Sequence, residues 1–254
     1  MDFKASHDSG ILTRAHVVPF GVFMAFILLL PLVNSLFQWD HPAAPWWKQD
    51  PALWVYPIQS LCSLILLIWY WRCFAFNWSL KWSAMAVIFG VVGIGFWLLP
   101  THLHSVLGID GKPEGVLKWL GVMPREDGFN PGIFENPGAY WASLIMRFIR
   151  AVVVVAMVEE IFWRGFAMRL ALDWDGDSWR QPFGKGSWLS YWVVTFLFML
   201  AHQPVDWAGA FFYGSLTYVL CIWSRNLGAC VVMHAVANLL MGIYIMATGK
   251  SGLW

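Results

Sequence analysis

Seven apolar stretches punctuate the chain, near Val17–Phe37, Leu53–Trp71, Trp82–Thr101, Tyr140–Leu172, Trp188–His202, Trp207–Trp223 and Gly228–Ala247. A helix needs roughly 20 apolar residues to cross the hydrocarbon core of a bilayer, and most of these stretches reach that length. The pattern predicts an all-α fold, a polytopic membrane helix bundle of about seven to eight transmembrane helices. The fifth and sixth stretches are shorter and flank Gln203-Pro204-Val205-Asp206. Staggered, broken or re-entrant helices are expected there, since irregular backbone at membrane depth survives only where protein or water covers it. The first apolar run is long enough to span and lacks a small-residue cleavage site, so it reads as a helix and not as a signal peptide.

Composition strengthens this reading. Charged residues make up 12% of the chain and hydrophobic ones 59%, with a mean hydropathy of +0.59; soluble domains carry about 25% charged residues. The 19 Trp residues suit a chain with many headgroup-level positions. A net charge of +1 offers no electrostatic footprint for nucleic acid. Cys62, Cys73, Cys221 and Cys230 show no CxxC or zinc-finger spacing and read as small packing residues.

Basic residues set an expected orientation. Lys4, Arg14, Arg72, Lys81, Arg169, Arg180, Lys185 and Arg225 all fall on one side if the N-terminus is cytoplasmic. The long opposite segment, His102–Gly138, mixes Lys112, Lys118 and Arg125 with Asp110, Glu114, Glu126, Asp127 and Glu135. It is rich in Gly and Pro and reads as an ordered connector, or as a cover over an opening. The expected organisation is one integral membrane domain, with 1–138 holding the N-terminal helices and the long loop, and 139–254 the chemistry-bearing helices.

Within that apolar pattern a few polar residues stand out. Glu159, Glu160 and Arg164 follow the apolar run Ala151–Val158, on a helix that at 1.5 Å per residue would be about 50 Å long over Tyr140–Leu172. A charged side chain at bilayer depth costs about 2.5–3.5 kcal/mol on insertion scales, which makes an intramembrane acid a functional candidate. Glu160 and Arg164 are four apart, in the favourable order for an ion pair. Glu159 points about 100° away, has no arginine three or four residues on, and is the freer carboxylate. A purely structural role, locking helices through Arg164 and Arg169, fits the same residues. His202 closes the fifth stretch, where a lone histidine also fits an interfacial role. His234 and Asn238 share one face of the last stretch, as expected of a polar cavity or of an interhelical hydrogen bond. No HExxH is present, and Asn238 stands where a second metal ligand would be sought; a site of His202, His234 and a glutamate for metal remains an alternative.

Taken in order, Glu159-Glu160-Ile161-Phe162-Trp163-Arg164, Phe198 to His202, and His234 to Asn238 resemble the EExxxR, FxxxH and HxxxN motifs of the CPBP family of intramembrane proteases, which includes CAAX prenyl endopeptidases and Abi-type proteins. The region around 162–169, the loop at Gly128–Pro131 and the stretch His234–Tyr244 further resemble bacterial CAAX prenyl protease-related proteins that accompany exosortase and PEP-CTERM sorting systems. The resemblance implies metal-independent, cofactor-free peptide hydrolysis in the bacterial inner membrane, with membrane lipid around the chain, a membrane-anchored protein or peptide as substrate and an exosortase-type system as partner. It implies catalytic roles for Glu159, His202, His234 and Asn238: the first two activating a water, the last two stabilising an oxyanion, with Glu160 and Arg164 in support. The four residues meet only if the Gln203–Asp206 break lets His202 sit deep or the last helix begins recessed. The competing readings are a non-enzymatic scaffold or chaperone that binds a partner with the same polar residues, a metal-dependent protease, and a transporter, which the missing repeat disfavours.

Overall fold

A computed structural model describes residues 8–41, 43–109, 111, 113–125 and 128–254. Lys4 of the orientation argument, and Asp110, Lys112, Glu126 and Asp127 of the long loop, lie outside the described residues. Every regular element among the described residues is helical. The principal helices are α1 (Ser9–Phe37), α2 (Ala52–Trp69), α3 (Leu80–Val106), α4 (Pro137–Leu170), α5 (Trp188–Leu200), α6 (Trp207–Ser224) and α7 (Leu227–Thr248). Six of them are long and apolar enough to cross a membrane. The exception is α5, whose 13 residues make a rod of about 20 Å, short of the roughly 30 Å core. The chain is therefore a multi-pass membrane bundle, and its lipid-facing side is written in exposed apolar side chains such as Leu28, Ile68, Leu80 and Trp188.

Local chemistry places the helix ends. Asp8 accepts from the backbone of Gly10 and Ile11 at the start of α1. Asn136 does the same for Gly138 and Ala139, with Pro137 in the first-turn position where its missing N–H costs nothing. Ser187 and Ser190 form a reciprocal capping box on α5. Arg225 ends α6 in the left-handed region, at φ 50°, and Asn226 at once caps α7 through Ala229.

Two compact units emerge, one of residues 1–74 and 129–158, the other of 75–128 and 159–254. One boundary between them falls inside α4, immediately before Glu159. In the first unit, Arg147 and Arg150 are buried. Arg150 donates through Nε to Gln59 Oε1 at 2.8 Å and lies 4.1 Å over the Tyr56 ring, so protein groups satisfy its buried charge. In the second unit, α3 packs against α6 and α7 through glycines. A Cβ at Gly90 would stand 2.8 Å from the Met233 carbonyl, and one at Gly93 would stand 2.8 Å from the Tyr213 ring. Small residues are what let membrane helices approach this closely.

Candidate active site

α4 does not keep regular α geometry around the acids. Wide π turns occupy Arg150–Val155 and Ile161–Ala167, with ordinary helix between them at Ala156–Glu160. π segments are rare and recur at functional sites. The first coincides with four consecutive valines, the β-branched class that crowds an α-helix most.

Glu160 is fully buried, with one oxygen hydrogen-bonded and the other within ion-pair distance of an arginine. Oε1 lies 2.8 Å from His234 Nδ1, and Oε2 lies 3.3 Å from Arg164 Nε. Arg164, also fully buried, donates through Nη2 to the Gly214 carbonyl at 3.3 Å and lies 5.7 Å over the Phe198 ring. Gly214 makes room for this: a Cβ there would meet Phe198 at 3.0 Å. One ion pair thereby ties α4 to α5, α6 and α7. The Glu160–Arg164 pairing follows from i,i+4 spacing; the Glu160–His234 contact does not.

Glu159 is differently placed. It is half-buried, and its Oε2 is buried without a hydrogen-bond partner among the described residues. Its charge acts on both His234 and Tyr213, so it stands close to the network without being consumed by it.

His202 sits just past the end of α5, in the turn that precedes the short 3₁₀ segment Pro204–Asp206. The interrupted backbone expected at Gln203–Asp206 is present. Its Nδ1 lies 2.8 Å from the Phe198 carbonyl. A carbonyl only accepts, so Nδ1 carries the hydrogen, and the neutral ring keeps its lone pair on Nε2. Trp207 Nε1 donates to the His202 carbonyl at 3.1 Å. Trp97 packs edge-on against the imidazole with centroids 5.2 Å apart.

His202 and His234 flank a common aromatic group. Phe198 touches both His202, at 4.6 Å, and Tyr213, at 6.3 Å; Tyr213 in turn packs edge-on against His234 at 5.6 Å. Asn238 lies one turn beyond His234 on α7, half-buried. Glu160, Arg164 and His234 are thus in direct contact, Glu159 is within electrostatic reach of them, and His202 joins through rings. No hydrogen bond links His202 to Glu159 among the described residues.

Tyr213 is missing from the sequence reading. It is almost wholly buried, and its hydroxyl has no hydrogen-bond partner among the described residues. The only signal in the sequence is a hydroxyl in an apolar helix between the two histidine motifs, which is weak on its own. Among the described residues, no group of three or more His, Cys, Asp or Glu is placed to hold a metal ion.

Residues 141–240 match the family model Rce1-like, described as type II CAAX prenyl endopeptidase Rce1-like. The matched segment is less than half of the chain, but it contains every motif residue from Glu159 to Asn238 and supports the CAAX-protease resemblance they carry. No curated protein and no solved structure matches the chain.

Proposed function

We propose, from the match of residues 141–240 to a protease family, that this chain is an intramembrane endopeptidase acting on a membrane-anchored protein or peptide. The observation that carries the reading is the half-buried Glu159 carboxylate, which stands outside the Glu160–His234 hydrogen bond and the Glu160–Arg164 ion pair beside it.

In the reaction, Glu159 takes a proton from a water while His202, through its Nε2 lone pair, orients it. The hydroxide oxygen bonds to the scissile carbonyl carbon, and the carbonyl electrons move onto oxygen. His234 and Asn238 donate to that oxyanion; one such donor is worth about 2.7–4 kcal/mol in comparable sites. Glu159 then passes its proton to the leaving nitrogen as the C–N bond breaks, which releases a carboxylic acid and an amine. Because Nδ1 of His234 faces Glu160, donation to the oxyanion falls to its Nε2–H. Glu160 and Arg164 act by holding His234 and the helix.

The bacterial inner membrane, a cytoplasmic N-terminus and service to an exosortase-type sorting system belong to the same proposal, and rest on the basic-residue pattern and on the motif resemblance. The test is to purify a Glu159→Gln variant from its host, identify the membrane proteins it retains by mass spectrometry, and follow their cleavage by the wild type. Loss of cleavage in Glu159→Gln and His202→Ala, with chelators without effect, supports the reading. A retained phenotype in Glu159→Gln supports a scaffold instead, and cleavage removed by a chelator and restored by zinc supports a metalloenzyme.

A further inference from the structure

The segment Val116–Arg125 lies outside every motif, yet it converges on the turn that carries His202. Arg125 and Asp206 form a two-pronged ion pair, Nη2 to Oδ1 at 2.5 Å and Nη1 to Oδ2 at 3.4 Å, with both side chains largely withdrawn from the surface. Trp119 stacks on Trp207 at 5.5 Å, and Trp207 is the residue whose indole holds the His202 carbonyl. Gly121, at φ +82°, runs so close to the Val205 carbonyl that a Cβ would stand 2.5 Å from it. The far end is tethered as well, since Gly252 N donates to the Arg125 carbonyl at 3.3 Å. Val116, Trp119 and Leu120 meanwhile expose apolar side chains, as a segment seated at a membrane interface would.

Ion pair, stack and backbone approach all act on residues 205–207, within five positions of His202. A bidentate arginine–carboxylate pair fixes geometry as well as proximity. The turn itself lacks the regular hydrogen bonding of a helix interior, so something outside it must hold it. We infer that Val116–Arg125 is a strap that positions the His202 turn, with Arg125 and Asp206 as its clasp. This rests on the catalytic role proposed for His202; Arg125 and Asp206 are positioning residues that touch no reacting atom.

The experiment reads His202 directly. Wild type, Asp206→Asn, Arg125→Gln and the charge-swapped pair Arg125→Asp with Asp206→Arg are treated with diethylpyrocarbonate well below their unfolding temperatures, across a pH series. Modification of each histidine is followed by peptide mass spectrometry. The single variants should modify His202 roughly tenfold faster or more, the scale of one lost charge-assisted bond, while buried His16 and His234 keep their wild-type rates; the swap should restore much of the slow rate. Gly121→Ala, which displaces the strap and leaves the ion pair's chemistry intact, should act in the same direction and serves if a charge variant fails to fold. On a substrate that the wild type cuts, kcat should fall with KM little changed. A wild-type His202 rate in every folded variant overturns the strap, as does a rise shared equally by all histidines. The modification assay needs no substrate, so an inactive wild type would sink the protease reading and leave this result standing.

Discussion

Two adjacent glutamates of α4 face different consequences when altered, because only one of them is built into the packing. Glu160 is wholly buried between His234 and Arg164, so Glu160→Gln leaves Arg164 without its counter-charge; breaking a buried pair costs about 3–5 kcal/mol. Glu159→Gln removes a charge whose buried oxygen has no hydrogen-bond partner among the described residues, and it should leave the unfolding temperature in detergent near wild type while reducing cleavage by about 10²–10⁴-fold. Equal thermal losses in the two variants would contradict this division. Tyr213→Phe tests a related trade. A buried hydroxyl without a partner carries a desolvation penalty of about 1–3 kcal/mol, so its deletion should leave the protein as stable or more stable. If that hydroxyl faces the substrate, turnover falls at the same time; thermal unfolding and cleavage rate measured on one preparation decide it.

At the scale of elements, the site depends on how closely α3, α6 and α7 approach. Gly90 has a backbone carbonyl 2.8 Å from where its Cβ would be, and a carbonyl cannot rotate away as a side chain can. Gly90→Ala should therefore cost about 1–3 kcal/mol, as overpacking does, and should displace α7 with His234 on it. Gly214→Ala meets only the edge of the Phe198 ring at 3.0 Å, which can give by a small rotation, so its loss should be the smaller of the two in thermal unfolding. The π turns of α4 belong to this scale too. They change the angular register on both sides of Glu159 and Glu160, so a helical wheel drawn at 100° per residue misplaces the residues beyond them. Glu160 and Arg164 pair nonetheless, because four residues remain close to one turn in either geometry.

For the whole molecule, the bilayer sets the largest energetic constraint, and the cost of an added charge should depend on its depth. Leu28 is 74% exposed inside α1, whereas Leu80 is 89% exposed at the very start of α3. Leu28→Arg should lower membrane insertion by the equivalent of about 2.5–3.5 kcal/mol, while Leu80→Arg should be nearly neutral, since a long cationic side chain at a helix end reaches the interface. A glycosylation-reporter insertion assay compares them directly, and equal effects would contradict the assignment of α1 as a span.

The helices, their number and their membrane setting are local properties of the chain: apolar run length, capping residues at Asp8, Asn136 and Ser187, and the Glu160–Arg164 spacing all lie within a few residues of where they act. The break after His202 was legible for the same reason, through Pro204 and two shortened stretches. What tertiary structure alone decided are contacts between residues far apart in sequence. Glu160 meets His234 across 74 positions, and Arg125 meets Asp206 across 81. Neither pairing leaves a periodic trace, because hydropathy and helical phase report only which face is polar and not which distant polar group it will meet. The sequence by itself thus determined a membrane bundle carrying acids, histidines and an asparagine in a recognisable order. The packing of α5, α6 and α7 around the 159–170 end of α4 decided which acid is locked between Arg164 and His234 and which stands outside that pairing.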